Sequence, residues 1–227
     1  MSRNFTKTSS QYLWYDGCPV TSEVFTTVVW YNTDNIYHKG NVFVQKNSVN
    51  GHYTTMQHRG DAAMQPYTAG KWNGSWNAHT LSNIPEDTWV MCGAVWNTVY
   101  PHIYMWCFES SEKTRSVTDG TITGPLNKLY IGSQAGVDTF QGLIAEVAIW
   151  NTALVNADFS TLHGGTSAAL VKPDNLVFYA PLINNDKDYI NKWTLTPVNN
   201  PTFSSSHPTI TYPEGFFSVS GPPLQVI

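Results

Sequence analysis

The chain has 227 residues, with 12 Lys and Arg against 16 Asp and Glu and a formal net charge of −4. Charged residues make up only 12% and aromatic residues 14% (9 Trp, 12 Tyr, 10 Phe). That is too much ring area for a disordered chain and too little concentrated positive charge for nucleic acid as the main partner. No apolar run approaches the ~18 residues that a membrane-crossing helix needs, and a Thr-, Val-, Tyr- and Trp-rich composition favours strands over a helical bundle.

The N-terminal stretch MSRNFTKTSSQYLW lacks the apolar core of a secretory signal, so the expectation is a chain made and kept in a cytosol. Residues 1–19 are polar and mixed, and read as an arm that packs on the domain or on a neighbour. From Glu23 to Asn32 apolar and β-branched residues occupy both parities, as in a strand covered on both faces. Asn41 to Lys46 is a second strand, and Asn50-Gly51 is a hairpin turn signal. Residues 52–85 are rich in His, Gly, Asn and aromatics, with strand boundaries that the pattern does not fix.

Thr88 to Trp96 and His102 to Phe108 read as antiparallel neighbours across a short polar link. Asp119-Gly120 marks a turn, and Leu129 to Gly132 and Leu143 to Trp150 are two further strands. Asn151 to His163 is the one convincing helix, stopped by Gly164-Gly165. Strands return at Leu176 to Leu182 and Trp193 to Val198. Residues 214–227 form an extended tail whose apolar residues Phe216, Phe217, Leu224, Val226 and Ile227 are candidates for anchoring another subunit. The competing reading has the tail folded back on its own sheet.

Short strands, turn-rich links and one helix point to an all-β fold: a two-sheet antiparallel jelly-roll sandwich over residues 20–213. Cys18, Cys92 and Cys107 are odd in number and lack metal-ligand spacing, and Cys92 and Cys107 fall inside strand-like runs, where a buried free thiol is common.

The stretch from Leu129 to Leu162 resembles the C-terminal signature of laminin-G-like (concanavalin A-like) jelly-roll domains. The residues that carry it are Phe140, Gly142, Ile144, Glu146, Val147, Ile149, Trp150, Asn151, Ala153 and Leu154. Phe25 to Trp30 and Thr88 to Trp96 resemble earlier strands of that family. Simple alternation along Leu143 to Trp150 puts Val147 and Ile149 on one face with Leu143 and Ala145, and Ile144, Glu146, Ala148 and Trp150 on the other. Gly142 suits a sharp turn after the loop, and Glu146 is expected to be hydrogen-bonded to a nearby loop rather than catalytic. Leu176 to Pro213 resembles the closing region of laminin-G-like proteins found on tailed-phage virions. That resemblance implies a bacteriophage structural protein such as a capsid decoration protein. Its partners would be capsid or other virion proteins in a homo-oligomer assembled in the host cytoplasm. A stand-alone lectin or a tail-associated receptor-binding protein is the alternative.

The chemistry in the sequence favours adhesion over bond-breaking. Glycoside hydrolysis needs two carboxylates about 5–10 Å apart, and Glu146 to Trp150 carries one, so no catalytic residue and no enzyme activity are expected. No cofactor is expected and no metal motif is present. The resemblance leaves open a loop calcium held by Asp138, Asp186 or Asp188. Carbohydrate binding needs Trp and Tyr faces with Asn and backbone groups at their rims. Tyr67, Trp72, Asn73, Trp76 and Asn77 are the candidate glycan-binding set, with Trp96, Asn97, Tyr100 and His102 as a second. Aromatics filling the core or a subunit interface are the competing explanation for both.

Overall fold

The structure is a computed structural model that describes residues 1–34, 38–49, 51, 53–59, 65–72, 75–80, 84–97, 102–108, 112–118 and 126–217. For residues 59, 65–72, 75–80, 97, 102–104, 108 and 112–118 the backbone alone is described.

Among the described residues the strands in chain order are β1 (Ser2–Phe5), β2 (Tyr12–Tyr15), β3 (Val24–Asn32), β4 (Gly40–Lys46), β5 (Tyr53–Arg59), β6 (Gln65–Trp72), β7 (Ser75–Thr80) and β8 (Val90–Asn97). They continue with β9 (His102–Phe108), β10 (Glu112–Thr118), β11 (Lys128–Ile131), β12 (Gly142–Trp150), β13 (Leu176–Ala180), β14 (Thr196–Val198) and β15 (Thr202–Ser204). One helix, α1 (Asn156–His163), follows β12. An eight-stranded sheet runs β10-β9-β8-β3-β12-β1-β15, with β13 also on β12, and a seven-stranded sheet runs β14-β2-β11-β4-β5-β6-β7. Every strand pairing is antiparallel. The expected two-sheet sandwich is the fold observed.

Inward-facing residues of both sheets make the central core: Leu13, Phe43, Met56, Leu129 and Ile131 from one, Val29, Tyr31, Ile144, Val147, Ile149 and Phe178 from the other. Cys92 and Cys107 lie in this core as free thiols, opposite each other in register with sulfurs 3.2 Å apart. Residues 1–19, read above as an arm, contribute β1 to one sheet and β2 to the other. The arm packs on its own domain, and buried Arg3 is its tether. The Arg3 guanidinium is held by both oxygens of Asp186 and by the Pro201 carbonyl, and it sits 3.7 Å over the Phe203 ring.

Two differences from the sequence reading have local causes. The helix starts at Asn156 rather than Asn151. Residues Thr152 to Leu154 are instead tied to β3, where Thr26 Oγ1 donates to the Thr152 carbonyl and accepts from Leu154 N–H. The Asp158 carboxylate then accepts from Val155 N–H at 2.9 Å, closing the first turn.

The second difference lies in β12. Its register against β3 runs Ala145↔Trp30, then Ala148↔Val28, so Glu146 and Val147 together face Val29. This is a β-bulge, and Glu146 occupies it with φ +54°. The extra residue breaks the parity expected from simple alternation. Ile144 joins Val147 and Ile149 in the central core, while Ala148 and Trp150 face outward beneath α1. Just upstream, Gly142 has φ +132°, and a Cβ there would stand 2.2 Å from the Asn32 carbonyl oxygen.

The outer face of the eight-stranded sheet is covered. Phe159 of α1 stacks on Trp106 with ring centroids 4.1 Å apart, and a Cβ on Gly93 would meet its ring at 2.3 Å. Leu162, Ala168, Val171 and Leu176 fill out this second cluster.

Candidate glycan-binding face

The outer face of the seven-stranded sheet is built differently. In β2, Leu13 points into the core, so period-2 alternation sends Tyr12 and Trp14 outward. In β11, Leu129 and Ile131 point inward and Tyr130 outward, and β4 and β5 repeat the rule with Val44 and Tyr53. These five residues form one apolar cluster on the outside of the sheet, with Tyr12 and Trp14 half-buried. The Tyr12 and Tyr130 ring centroids are 6.2 Å apart at an interplanar angle of 58°. Lys128 Nζ lies 5.3 Å from the centre of the Trp14 ring and 3.2 Å from an Asp16 carboxylate oxygen. Burial pushes the Tyr130 phenol above its ordinary value, and the Lys128 ammonium opposes that shift. Tyr53 and Tyr130 are buried within the cluster, so Tyr12 and Trp14 are the rings with polar tips at the surface, which is what a sugar's apolar face and hydroxyl rim require.

The pairing register relates this cluster to the residues singled out in the sequence. Position 71 pairs with Tyr53 and position 76 with Lys71, so Trp76 falls on the parity of Tyr53. Tyr67 pairs with Gln57, two residues from Thr55 and four from Tyr53, and shares that parity. Trp72 pairs with Ser75 and Asn77 with Gly70, on the opposite parity. Asn73 lies outside the described residues. The candidate set is therefore split between the two faces of β6 and β7. In the second set, Trp96 is 1% exposed, clusters with Phe25 and Leu126, and donates its indole N–H to Thr27 Oγ1. It is a core residue and not a platform. Asn97 and His102 are cross-strand partners, and Tyr100 lies outside the described residues.

Sequence reasoning missed Tyr12, Trp14, Tyr53 and Tyr130. The signal was present in Tyr12-Leu13-Trp14, an aromatic–aliphatic–aromatic alternation that was absorbed into the arm.

A second constellation surrounds Glu146, which is 3% exposed. Its Oε2 accepts from the Tyr179 hydroxyl and its Oε1 from the Tyr212 hydroxyl, while Ser167 Oγ lies 3.0 Å from the Tyr179 oxygen. His207 Nε2 stands 3.2 Å from Oε1, and its Nδ1–H donates to the Pro208 carbonyl. The side chain is thus bonded to β13 and to the 205–212 segment. Burial, then the Glu146 charge, hold the Tyr179 and Tyr212 phenols well above their ordinary value.

The three aspartates considered for calcium do not converge. Asp138 pairs with Lys39 at 2.8 Å, and Asp186 holds Arg3. Asp188 is buried and accepts from the backbone N–H groups of Tyr179, Ile190 and Asn191. Among the described residues no three His, Cys, Asp or Glu side chains gather as a metal site. Asp186 and Asp188 are thus taken up by protein donors.

In the expected tail, Phe216 stacks on Tyr189 (4.8 Å, 20°) and on Tyr212 (5.7 Å, 20°), and Phe217 meets Tyr212 edge-on at 4.7 Å. These two residues pack on their own domain, and Leu224, Val226 and Ile227 lie outside the described residues. Among the described residues no helix is long and apolar enough to cross a membrane.

Comparison with known proteins agrees with this architecture. No curated protein matches the sequence. Among solved structures, a candidate carbohydrate-binding protein from Bacteroides ovatus aligns with TM-score 0.62 and 14% identity, covering 92% of this chain and 61% of that one. The heptameric SAP-like pentraxin of Limulus polyphemus aligns with TM-score 0.60 and 13% identity, covering 88% and 93%. Tailspike protein 2 of an Escherichia coli O157:H7 bacteriophage aligns with TM-score 0.59 and 13% identity over 79% of this chain, which spans only 26% of the tailspike's length. At such identities the likeness is one of fold. The laminin G-like family described as the concanavalin A-like lectin/glucanases superfamily matches residues 7–160, and the chain belongs to that family.

Proposed function

We propose that the chain is a non-enzymatic glycan-binding module that serves on a virion surface. The observation that carries the proposal is the outward cluster of Tyr12, Trp14, Tyr130 and Tyr53 on the seven-stranded sheet. Tyr53 and Tyr130 are buried in this cluster, but Tyr12 and Trp14 stay half-buried on a sheet whose other face already fills the core, and stacked sugar rings would cover them. The absence of catalysis is supported by Glu146, the one carboxylate in the family-signature strand. Both its oxygens accept from tyrosine hydroxyls, and it is nearly sealed from solvent. The virion setting is supported by the likeness of Leu176 to Pro213 to virion laminin-G-like proteins and by the tailspike's shared fold.

The experiment is a glycan array probed with the full chain and with Trp14→Ala, Tyr12→Ala and Trp76→Ala. The expected result is binding that falls at least about tenfold in Trp14→Ala, the order of one lost ring contact. Binding that survives Trp14→Ala and Tyr12→Ala would remove this face. A second reading, capsid decoration, draws on the tail. A chain lacking residues 218–227 should fold and fail to enter virions, and unchanged incorporation would count against it.

A further inference from the structure

We infer that the glycan bound by this face is anionic, carrying carboxylate or sulfate groups; the inference rests on the glycan-binding reading above. Lys128 of β11 stands directly opposite Lys46 of β4, and Lys46 directly opposite Tyr53 of β5. Tyr53 pairs in turn with Lys71 of β6 and Lys71 with Trp76 of β7. One cross-strand row therefore reads Lys128, Lys46, Tyr53, Lys71, Trp76. The row beside it begins Trp14, Tyr130, Val44, Thr55.

Like charges directly opposite on neighbouring strands are destabilising. The chain has 12 cationic residues in 227 and a net charge of −4, so a lysine pair in one row is a costly placement for a sheet that needs only to fold. Lys128 has a partial counter-charge in Asp16, whose side chain is 70% exposed, and such a pair contributes little. Among the described residues no carboxylate pairs with Lys46. An acidic sugar would supply a counter-charge to the pair. Its ring would lie on half-buried Trp14 while its acid group meets the ammonium groups one row away. Adjacent strands are about 5 Å apart, so Lys128 and Lys46 sit close enough to share one substituent, and charge-assisted hydrogen bonds would fix it.

The test is calorimetric titration of the full chain with three probes: a galacturonic acid hexamer, a heparin hexasaccharide and neutral cellohexaose. Each is run at about 50 mM and about 300 mM NaCl, which shortens the Debye length more than twofold. Expected are binding of an acidic probe in preference to cellohexaose and weakening at high salt. A drop of about tenfold is expected in Lys46→Gln and in Lys128→Gln, roughly the loss of one charge-assisted contact. Lys172→Gln, on the helix side of the molecule, serves as a control and should bind as the parent does. Cellohexaose binding as tightly as the acidic probes, or acidic binding indifferent to Lys46→Gln and to salt, would overturn the anionic class and leave the glycan reading standing. No binding by any probe or arrayed glycan would overturn both.

Discussion

The Tyr212 hydroxyl donates to Glu146 Oε1 at 2.5 Å, joining the last described segment of the chain to the bulge in the middle of β12. Strand β12 has β3 on one edge, and its other edge is shared, with β1 on residues 142–144 and β13 from residue 147 onward. Glu146 falls in the gap between them. Its backbone N–H donates to the Pro181 carbonyl at 3.3 Å and its side chain gathers Tyr179 and Tyr212. The bulge thus turns a potential break in the sheet edge into the attachment point of the 205–217 segment. Tyr212→Phe removes the donor and keeps the ring that packs on Phe216. The expected loss is about 1–3 kcal/mol, because a buried carboxylate oxygen loses its hydroxyl donor. Chemical denaturation measures the loss, and limited proteolysis should show earlier cleavage between residues 205 and 217.

Gly142→Ala tests the turn that leads into the bulge. At φ +132° a side chain is strained, and the Asn32 carbonyl already occupies the space. The substitution should cost at least ~1–3 kcal/mol and weaken the β3–β12 pairing. Hydrogen exchange at Asn32 and Thr33 is the direct readout, and unchanged protection there would contradict the proposed contact.

The sandwich was legible because its central strands announce themselves. Val24–Asn32, Val90–Asn97 and Gly142–Trp150 are apolar and β-branched, and they end within about two residues of the expected bounds, the usual scatter of strand ends. Ser2–Phe5 was illegible for a physical reason. Its partners are Asp186, Pro201 and Phe203, nearly two hundred residues away, and burial of Arg3 depends wholly on them. The bulge was hidden because Glu146 has no local mark of a left-handed conformation, such as glycine or asparagine. Half of the candidate face could have been read. Tyr12-Leu13-Trp14 alternates as an outer-sheet strand should, but Tyr53, Lys46 and Lys128 meet it only through register.

Phe159→Ala probes how the helix is held. The ring is fully buried between Trp106 and Gly93, so its removal leaves a cavity that a short helix cannot close. The expected cost is about 3–5 kcal/mol. Loss of near-ultraviolet circular dichroism from Trp106 would report the same event, and a fully retained signal would show that the stack is not the anchor.

Lys46→Gln should leave the ligand-free protein slightly more stable at low salt, by about 0.2–1 kcal/mol, since it removes one member of a like-charged cross-strand pair. The gain should fade as salt rises. A destabilised variant would mean that Lys46 is held by a partner and is not waiting for one. Thermal melts at two ionic strengths decide between them.

Stability should decline on the alkaline side, and the sign follows from Tyr130, whose phenol burial raises, and from three further acids. Burial pushes the Cys18 thiol up from 9.0 to about 11. Burial and the Glu146 charge raise Tyr179 and Tyr212 from 10.0. In each case the folded chain keeps a proton that the unfolded chain gives up. Below about pH 9 both states hold all four protons, and these groups impose no pH dependence. Above it the unfolded state is favoured, first through Cys18 and from about pH 10 through the three tyrosines, with a slope of up to ~1.4 kcal/mol per pH unit for each group. These acids should therefore leave the urea midpoint unchanged to about pH 9 and then lower it with increasing steepness, while below about pH 8 the Met1 ammonium, lowered by desolvation, adds a rise with pH. Tyr212→Phe starts lower but should fall less steeply above about pH 10, because one of the retained protons is gone. A midpoint that stays level to pH 11, or a variant whose slope matches the parent's, would show that the Tyr212 hydroxyl is exposed to solvent and not bound to Glu146.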